Sequence, residues 1–132
     1  MRLEKEQLAN YSAEIADLYQ TWLEESPTSG LIYFGAFDNE NLKAVGAVRC
    51  YMGHWYLRAF VVKPEYRGQG LQKQLIEECL DFLSDKTDTA RISVFPDNVH
   101  SIRNIEATGF EFEKKKKLQD GHVVIVYKKQ LK

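Results

Sequence analysis

The sequence predicts one α/β domain, an α+β arrangement in which helices pack against a single mixed, mostly antiparallel sheet. Three strand-like runs follow one another across short turns, at residues 31–37, 44–51 and 55–62, and short turns join antiparallel neighbours. After Gly70 the apolar residues recur at the spacing of a helix. The chain of 132 residues is long enough for one hydrophobic core, and we expect residues 1–132 to form one domain.

The first half of the chain predicts an amphipathic helix, or a broken pair of helices, followed by these three strands. Apolar residues recur at helical spacing across residues 8–23, and Pro27 and Gly30 mark a loop over residues 26–30. The strand-like runs are rich in aromatic and β-branched residues, which favour strands. The third run stops before Pro64, which has no N–H to donate to a sheet.

The second half predicts, in order, a helix, a short strand, a helix and the two strands of a hairpin, at residues 71–83, 91–95, 98–108, 110–117 and 122–128. Asn98 is a favourable N-cap for the second of these helices, and Gly109 follows it where a left-handed cap belongs. The Asp120-Gly121 pair supplies the hairpin turn.

Composition and charge indicate an ordinary globular protein and argue against two kinds of partner. Apolar residues make up 44% of the chain and charged residues 28%. A net charge of -1 gives no bulk attraction to nucleic acid or to an anionic membrane, so we expect neither as a partner. No apolar run approaches the roughly 20 residues of a membrane helix, and the charged first residues do not resemble a signal peptide.

The cysteines and histidines give no sign of a metal site. Cys50 and Cys79 lie in apolar, regular segments, so we expect both to be reduced core residues of a protein in the reducing cytoplasm. His54, His100 and His122 lie far apart at turns or at a helix start, where exposed histidines are expected. None of these residues has metal-ligand spacing, and we expect no metal.

The most informative stretch is residues 61–73, where a buried strand ends, a glycine-rich turn follows and a helix begins at once. The first turn of a helix carries free N–H groups and partial positive charge, and glycine lets a ligand approach the backbone. Such a turn binds a phosphate or a diphosphate. It is neither a Walker A loop nor a three-glycine dinucleotide fingerprint. A glycine-rich turn without a ligand is the alternative that the turn alone leaves open.

Two motifs resemble those of the GNAT acetyltransferases. Residues 67–71, Arg-Gly-Gln-Gly-Leu, fit the family pattern Arg/Gln-x-x-Gly-x-Gly/Ala after a strand that ends Val-x-Pro-Glu-Tyr, with Gln72 in place of the final Gly/Ala. Residues 98–110 resemble the family segment Asn-x-x-Ser/Ala…Glu-x-x-Gly-Phe. The resemblance covers roughly residues 31–128, and the order of the elements is that of the family.

The resemblance implies the GNAT fold, in which the family's fourth and fifth strands, here residues 55–62 and 91–95, splay apart and helices cover both faces. It implies acetyl-CoA as co-substrate. The pantetheine arm is expected along the strand edge formed by Phe60, Val61 and Val62, and Asn98 is expected to contact it or to position the thioester. The diphosphate is expected on the backbone of a turn that comprises Gly68, Gln69, Gly70, Leu71, Gln72 and Lys73, with Arg67 beside it.

The family's usual catalytic groups are missing, which leaves several mechanisms open. Ile105 replaces the tyrosine that protonates the leaving sulfur, and Tyr56 and Ser93 occupy positions that often carry a glutamate base. We therefore take Tyr56 and Ser101 as candidate catalytic residues that donate a proton or orient a water. A chain of waters that acts as base, and a thiolate that leaves without an acid, are the alternatives.

The expected reaction is transfer of an acetyl group from acetyl-CoA to a primary amine of a small molecule or of a peptide or protein N-terminus. Deprotonating a lysine at pH 7 costs roughly 4–5 kcal/mol and an α-amine only about 1 kcal/mol, so a site without a strong base favours an acceptor of low pKa. A catalytically weak or inactive acyl-CoA-binding module is the first alternative, and a scaffold used only for interaction is the second. Both a monomer and a homodimer are compatible with the sequence.

Three other features have alternative interpretations. Tyr56 and Arg58 share one face of their predicted strand and either line the acceptor cleft or cover the edge of a helix. The four lysines at residues 114–117 indicate a solvated edge strand rather than a nucleic-acid site, because Glu111 and Glu113 balance them. Glu106 is interpreted as a residue on the helix surface.

Overall fold

The computed structural model describes residues 1–19 and 31–132. The predicted loop at residues 26–30 and the end of the first predicted helix lie outside them. Elsewhere the predicted order of elements is confirmed. The elements are α1 (Lys5–Tyr19), β1 (Leu31–Asp38), β2 (Asn41–Tyr51), β3 (His54–Val62), a 3-10 turn (Pro64–Tyr66), α2 (Leu71–Leu83), β4 (Thr89–Val94), α3 (Val99–Ala107), β5 (Glu111–Lys117) and β6 (Val123–Gln130).

The six strands of the described residues form one sheet in the order β1-β2-β3-β4-β6-β5. Neighbours are antiparallel except β3 and β4, which run parallel and pair only from Trp55–Ala90 to Leu57–Ile92. Beyond Leu57 the two strands diverge, which confirms the predicted splay. The edge of β3 from residue 58 to residue 62 therefore faces β4 without pairing to it.

One face of the sheet, called here the α2 face, carries the larger hydrophobic core. All six residues of the predicted apolar face of α2 are buried. They pack with Leu57 of β3, Ile92 of β4 and Ile105 of α3, and full burial of a Leu or Ile side chain stabilises the fold by roughly 1.5–3 kcal/mol. This packing fixes the first turn of α2 beside the divergent ends of β3 and β4.

The opposite face, called here the α1 face, carries a smaller core. Ile15 of α1 packs against Tyr33, Val45 and Ala47 of the first two strands. Helices thus cover both faces, as expected. The helix begins at Lys5, before the predicted start at residue 8. The side chain of Gln7 accepts a hydrogen bond from the Glu4 N–H at 3.0 Å, and this cap lies ahead of the apolar pattern.

Two predictions about the exposure of residues on the strands had different outcomes. The prediction that both cysteines are buried is wrong, because Cys50 lies near the exposed end of β2 and only Cys79 is buried. Burial raises the pKa of the Cys79 thiol. The prediction for the lysine-rich strand is confirmed, because β5 is an edge strand of the sheet and its residues 114–117 are exposed.

Candidate functional site

A cavity of about 830 Å³ opens where β3 and β4 diverge. The end of β3, the turn before α2 and the first turns of α3 enclose it. Its lining residues are Phe60, Val61, Val62, Tyr66, Arg67, Gly68, Gly70, Leu71, Gln72, Asn98, His100, Ser101, Arg103 and Asn104. The fold therefore brings the two motifs of the sequence together around one space.

The turn between β3 and α2 presents its backbone to this cavity. Gly68 and Gly70 have φ values of 81° and 75°, a left-handed conformation that strains other residues. A Cβ atom at either glycine would meet nothing within 4 Å, so the space above them is open. The first backbone hydrogen bond of α2 runs from the Gln74 N–H to Gly70 O, at 3.0 Å.

The amides of residues 68–73 have no acceptor among the described residues. No side chain caps α2 either, since Gly70 occupies the N-cap position. The N–H groups of a helix start carry partial positive charge and bind anions when no protein group occupies them. This turn therefore has the donors, the charge and the open space that a phosphate or diphosphate needs.

Arg67 adds a full positive charge at the same place. Its N–H donates to Pro64 O at 3.3 Å, which continues the 3-10 turn, and its side-chain Nε donates to Val62 O at 3.3 Å. The side chain thus lies between the turn and the end of β3. A guanidinium in this position can pair with an anion on the turn.

The edge of β3 is shaped by an irregularity in its pairing with β2. The register shifts between Val45 and Ala47, so Gly46 lies opposite a bulge. A Cβ atom on Gly46 would approach the Phe60 ring to 2.4 Å, so glycine is what allows this ring to lie against β2. The bulge redirects residues 60–62 while their other edge stays unpaired with β4.

Polar side chains join α2 to α3 across the cavity wall. Gln72 Nε2 donates to Ser101 Oγ at 3.0 Å, and Asn104 Nδ2 donates to Gln72 Oε1 at 2.8 Å. Asn98 Oδ1 accepts from Ser101 N at 3.3 Å and caps α3, as predicted. The side chain at position 72 thus points towards α3.

The candidate catalytic residues lie in two different places. Ser101 lines the cavity, whereas Tyr56 does not. Tyr56 is half-buried in β3 with Arg49 and Arg91 as its cross-strand neighbours. Ile105, at the position of the family's tyrosine, is 1% exposed and belongs to the core.

Of the expected binding residues, Gln69 and Lys73 do not line the cavity, and each can contribute only through its backbone N–H there. The sequence interpretation missed four lining residues, Tyr66, His100, Arg103 and Asn104. On α3, His100 lies three and four residues before Arg103 and Asn104, and Asn104 lies three residues after Ser101, which is the spacing of a shared helix face. That spacing was the available signal.

The other residues considered in the sequence, His54, His122 and Glu106, lie outside the cavity. His54 is exposed in its turn. His122 Nδ1 lies 2.8 Å from Asp120 Oδ2, and the hydrogen bond from His122 holds the pKa of Asp120 below its usual value. Burial, followed by the nearby Glu106 carboxylate, raises the pKa of Tyr127. Glu106 itself is exposed on α3, as expected.

Residues 1–19 and 31–132 contain neither a cluster of metal ligands nor a helix suited to span a membrane. No group of three or more His, Cys, Asp or Glu side chains there is arranged to hold a metal ion. None of the helices there combines the length and hydropathy that crossing a lipid bilayer requires.

Known proteins resemble the chain in both sequence and fold. The chain is 32% identical over 95 residues to a spermine/spermidine N(1)-acetyltransferase of Bacillus subtilis, and the match covers 67% of this chain and 55% of that relative. The chain thus spans about half the length of that relative.

Solved structures share the fold. The ribosomal-protein-S18-alanine N-acetyltransferase of Escherichia coli superposes with a TM-score of 0.78 at 20% identity, over 99% of this chain and 92% of that one. A GNAT family acetyltransferase of Elizabethkingia anophelis with acetyl-CoA bound gives 0.75 at 12% identity, over 86% and 88%.

The family model described as the acetyltransferase (GNAT) family matches residues 2–110. That range includes β3, the glycine turn, α2 and α3, which together enclose the cavity. The chain therefore belongs to the GNAT acetyltransferase family.

Proposed function

We propose that this protein is an N-acetyltransferase that binds acetyl-CoA in the cavity and transfers the acetyl group to a primary amine of a small molecule or of a peptide N-terminus. The observation that carries the proposal is the set of amides at residues 68–73 that have no acceptor among residues 1–19 and 31–132, beside the edge of β3 that does not pair with β4. The amides suit a diphosphate, and the strand edge suits the extended, amide-containing pantetheine arm.

The proposed binding mode follows from these two parts. The diphosphate is placed on the amides of residues 68–73, with Arg67 at its side. The pantetheine amides are placed along residues 60–62, where a ligand can bond to the strand edge as a further strand would. Asn98, at the start of α3, is placed against the same arm. Gln72 leaves its N–H available because its side chain bonds to α3.

The chemistry requires two proton transfers. The nitrogen of the neutral amine attacks the thioester carbonyl, the C–S bond breaks, the amine nitrogen loses a proton and the thiolate gains one. Ser101 is the candidate donor to the sulfur because it lines the cavity. Tyr56 is the candidate to orient the amine or a water, from the α1 face of β3.

Relatives differ in the acceptors that their names give. One acts on spermine and spermidine, and another on the alanine of a ribosomal protein. The half-buried Tyr56 and the exposed Ser93 offer no strong base, which favours an amine of low pKa over a lysine side chain. We therefore place a peptide α-amine or a similarly weak base first among the acceptors.

The test is release of free thiol from acetyl-CoA in the presence of a panel of amines. Cys50 is exposed and would react with the thiol reagent, so the assay uses a Cys50→Ser variant. Amine-dependent thiol release with formation of the N-acetyl product supports the enzyme. Binding of acetyl-CoA without release above background would instead support a catalytically weak acyl-CoA-binding module.

Binding itself is measured separately by thermal shift. Coenzyme A at a hundredfold excess over its Kd should stabilise the fold by roughly 2.7 kcal/mol. Absence of any shift would favour a protein that uses the scaffold only for interaction. The single domain, the cytoplasmic location, the lack of a nucleic-acid or membrane partner and the choice between monomer and homodimer stay predictions.

A further inference from the structure

Arg103 belongs to the wall of the cavity that α3 forms, and the binding mode above gives it no role. His100, Arg103 and Asn104 line the cavity together. His100 lies three and four residues before the other two, so the three side chains share one face of α3. Asn104 Nδ2 donates to Gln72 Oε1 at 2.8 Å, which holds this face against the first turn of α2. Arg103 therefore lies beside the turn on which the diphosphate is placed.

The guanidinium of Arg103 has no partner among residues 1–19 and 31–132. Arg91, by contrast, is held by a carboxylate, with 3.1 Å between its Nε and Glu113 Oε1. Arg103 is exposed and forms neither a hydrogen bond nor an ion pair within those ranges. Since an arginine stays protonated throughout the physiological pH range, a full positive charge lines the cavity without a counter-ion from the described chain.

The order of residues along α3 indicates which part of the ligand Arg103 meets. Asn98, at the start of the helix, is placed against the pantetheine arm. Arg103 is five residues further on, about 7.5 Å along the helix axis, and past Ser101, whose hydroxyl accepts from Gln72 Nε2. In coenzyme A the diphosphate joins the arm to a ribose, and this ribose carries a further phosphate on its 3′ oxygen. Arg103 thus lies on the side of the diphosphate where the ribose follows.

We infer that Arg103 pairs with the ribose 3′-phosphate of acetyl-CoA and so selects a donor that carries this group. A guanidinium matches a phosphate through two parallel N–H donors, and the exposed side chain is free to reach one. A phosphopantetheine arm attached to a carrier protein has no ribose and makes no such contact. The inference rests on the proposed acetyltransferase function and specifies its acyl donor.

The test compares coenzyme A with 3′-dephospho-coenzyme A, which keeps the diphosphate and the arm and lacks only the phosphate in question. Isothermal titration at low salt should show that the wild type binds coenzyme A about tenfold more tightly. Arg103→Gln should lower the affinity for coenzyme A to that for the dephospho form and leave the latter unchanged. Arg103→Lys keeps the charge and should retain part of the preference, because an ammonium lacks the paired donors.

Two further variants separate this contact from other positive charges. Arg67→Gln removes the guanidinium beside the diphosphate, which both ligands carry, so it should weaken both by a similar factor. Lys86→Gln removes a charge beyond the far end of α2, where Lys86 Nζ lies 3.0 Å from Asp85 Oδ1, and should change neither affinity. A preference that survives in Arg103→Gln but falls in Lys86→Gln would assign the effect to net charge and overturn the inference.

The rate of acetyl transfer provides a second readout. In the wild type, kcat/KM for acetyl-CoA should exceed that for acetyl-dephospho-CoA by about the same tenfold. The two donors should become equal in Arg103→Gln. Their kcat values should be alike in both proteins, because the 3′-phosphate is at the opposite end of the ligand from the thioester.

The outcomes separate this inference from the proposed function. Equal binding of both ligands by the wild type would overturn the role of Arg103 and leave the acetyltransferase intact. Equal loss of both affinities in Arg103→Gln would show that Arg103 meets another part of the ligand and would also overturn it. Failure of both ligands to bind, together with no thiol release with any amine, would instead reject the proposed function.

Discussion

Gln72 Nε2 donates a hydrogen bond to Ser101 Oγ at 3.0 Å and so joins the first turn of α2 to the first turn of α3. Gln72 Oε1 already accepts from Asn104 Nδ2 at 2.8 Å, which fixes the orientation of the Gln72 amide. Ser101 Oγ lies 3.0 Å from Gln72 Nε2 and 3.4 Å from Gln72 Oε1, so its proton bonds weakly to Gln72 Oε1 until a better acceptor enters the cavity. The leaving sulfur is the acceptor that the proposed reaction supplies.

Replacing Ser101 tests this role. Ser101→Ala should lower kcat by about a hundredfold, the usual scale for losing a positioned proton donor. The KM for acetyl-CoA shows separately whether Ser101 also contacts the co-substrate, because Ser101 lines the same cavity and bonds to Gln72 of the diphosphate-binding turn. Steady-state kinetics with a peptide acceptor measure both constants.

Two companion variants separate proton donation from packing. Ser101→Thr keeps the hydroxyl and should retain most of kcat, whereas Gln72→Ala frees the hydroxyl to rotate and should give an intermediate loss. An unchanged kcat in Ser101→Ala would show that the thiolate leaves without this acid.

Replacing Gly70 tests whether the turn at residues 68–73 binds the diphosphate. Gly70→Ala places a Cβ in the open space above the turn, and should weaken coenzyme A binding by tenfold or more. It should also cost roughly 1–2 kcal/mol of stability because the backbone there has φ 75°. Isothermal titration and chemical unfolding measure the two effects.

Gly53 provides the matched control. Its φ is 79° and its added Cβ also meets nothing within 4 Å, but it lies in the β2–β3 turn away from the cavity. Gly53→Ala should therefore cost similar stability and leave the affinity for coenzyme A unchanged. Equal loss of affinity in both variants would attribute the effect of Gly70→Ala to strain alone.

The Arg91–Glu113 pair gives the fold a pH-dependent contribution. The hydrogen bond from Arg91 holds the pKa of Glu113 below its ordinary value of 4.5. Because the folded state prefers the ionised form, the contribution is fully present above pH 4.5 and is lost as the pH falls through the lowered pKa. Glu113→Gln should reduce stability by about 1 kcal/mol at pH 7.

The corresponding measurement is the stability difference between wild type and Glu113→Gln across pH. The difference should stay constant from pH 8 to about pH 5 and shrink below pH 4.5. A difference that stays constant down to pH 2 would contradict the assignment to the Glu113 carboxylate.

The two cysteines should react with thiol reagents at very different rates. Cys50 is exposed, whereas Cys79 is 0% exposed and its pKa is raised by burial. Only thiolate reacts readily, so the native protein should lose one thiol to iodoacetamide at pH 8 and the unfolded protein two. Mass spectrometry of tryptic peptides should locate the native modification at Cys50. Rapid native modification of Cys79 would contradict the packing of α2.

The sequence alone predicts those elements in which apolar or charged residues recur in a clear pattern. The apolar face of α2 follows from the spacing of residues 71–83, and every member of that face is buried. The lysine-rich β5 is an edge strand as its pattern indicates, because charged side chains are compatible with an edge and not with a sheet centre. The cavity follows from two motifs whose elements the fold brings together.

Contacts between distant elements were not predictable in the same way. The bond from Gln72 to Ser101 depends on the distance between two helices, which no local pattern encodes. The burial of Cys50 was predicted wrongly because an apolar strand does not show where it leaves the core. The α3 residues His100 and Arg103 were missed because a helix face is assigned to a cavity only once the neighbouring strand is placed.

The central claim is that the amides after Arg67 bind a diphosphate while the edge of β3 binds the arm attached to it. An amide chemical-shift titration of the protein with coenzyme A tests it directly. The largest changes should occur at residues 68–73 and 60–62, and Gly121 in the distant hairpin should not move. Changes confined to another place, such as a separate cavity lined by Tyr11 of α1 and Gln74 of α2, would contradict the claim.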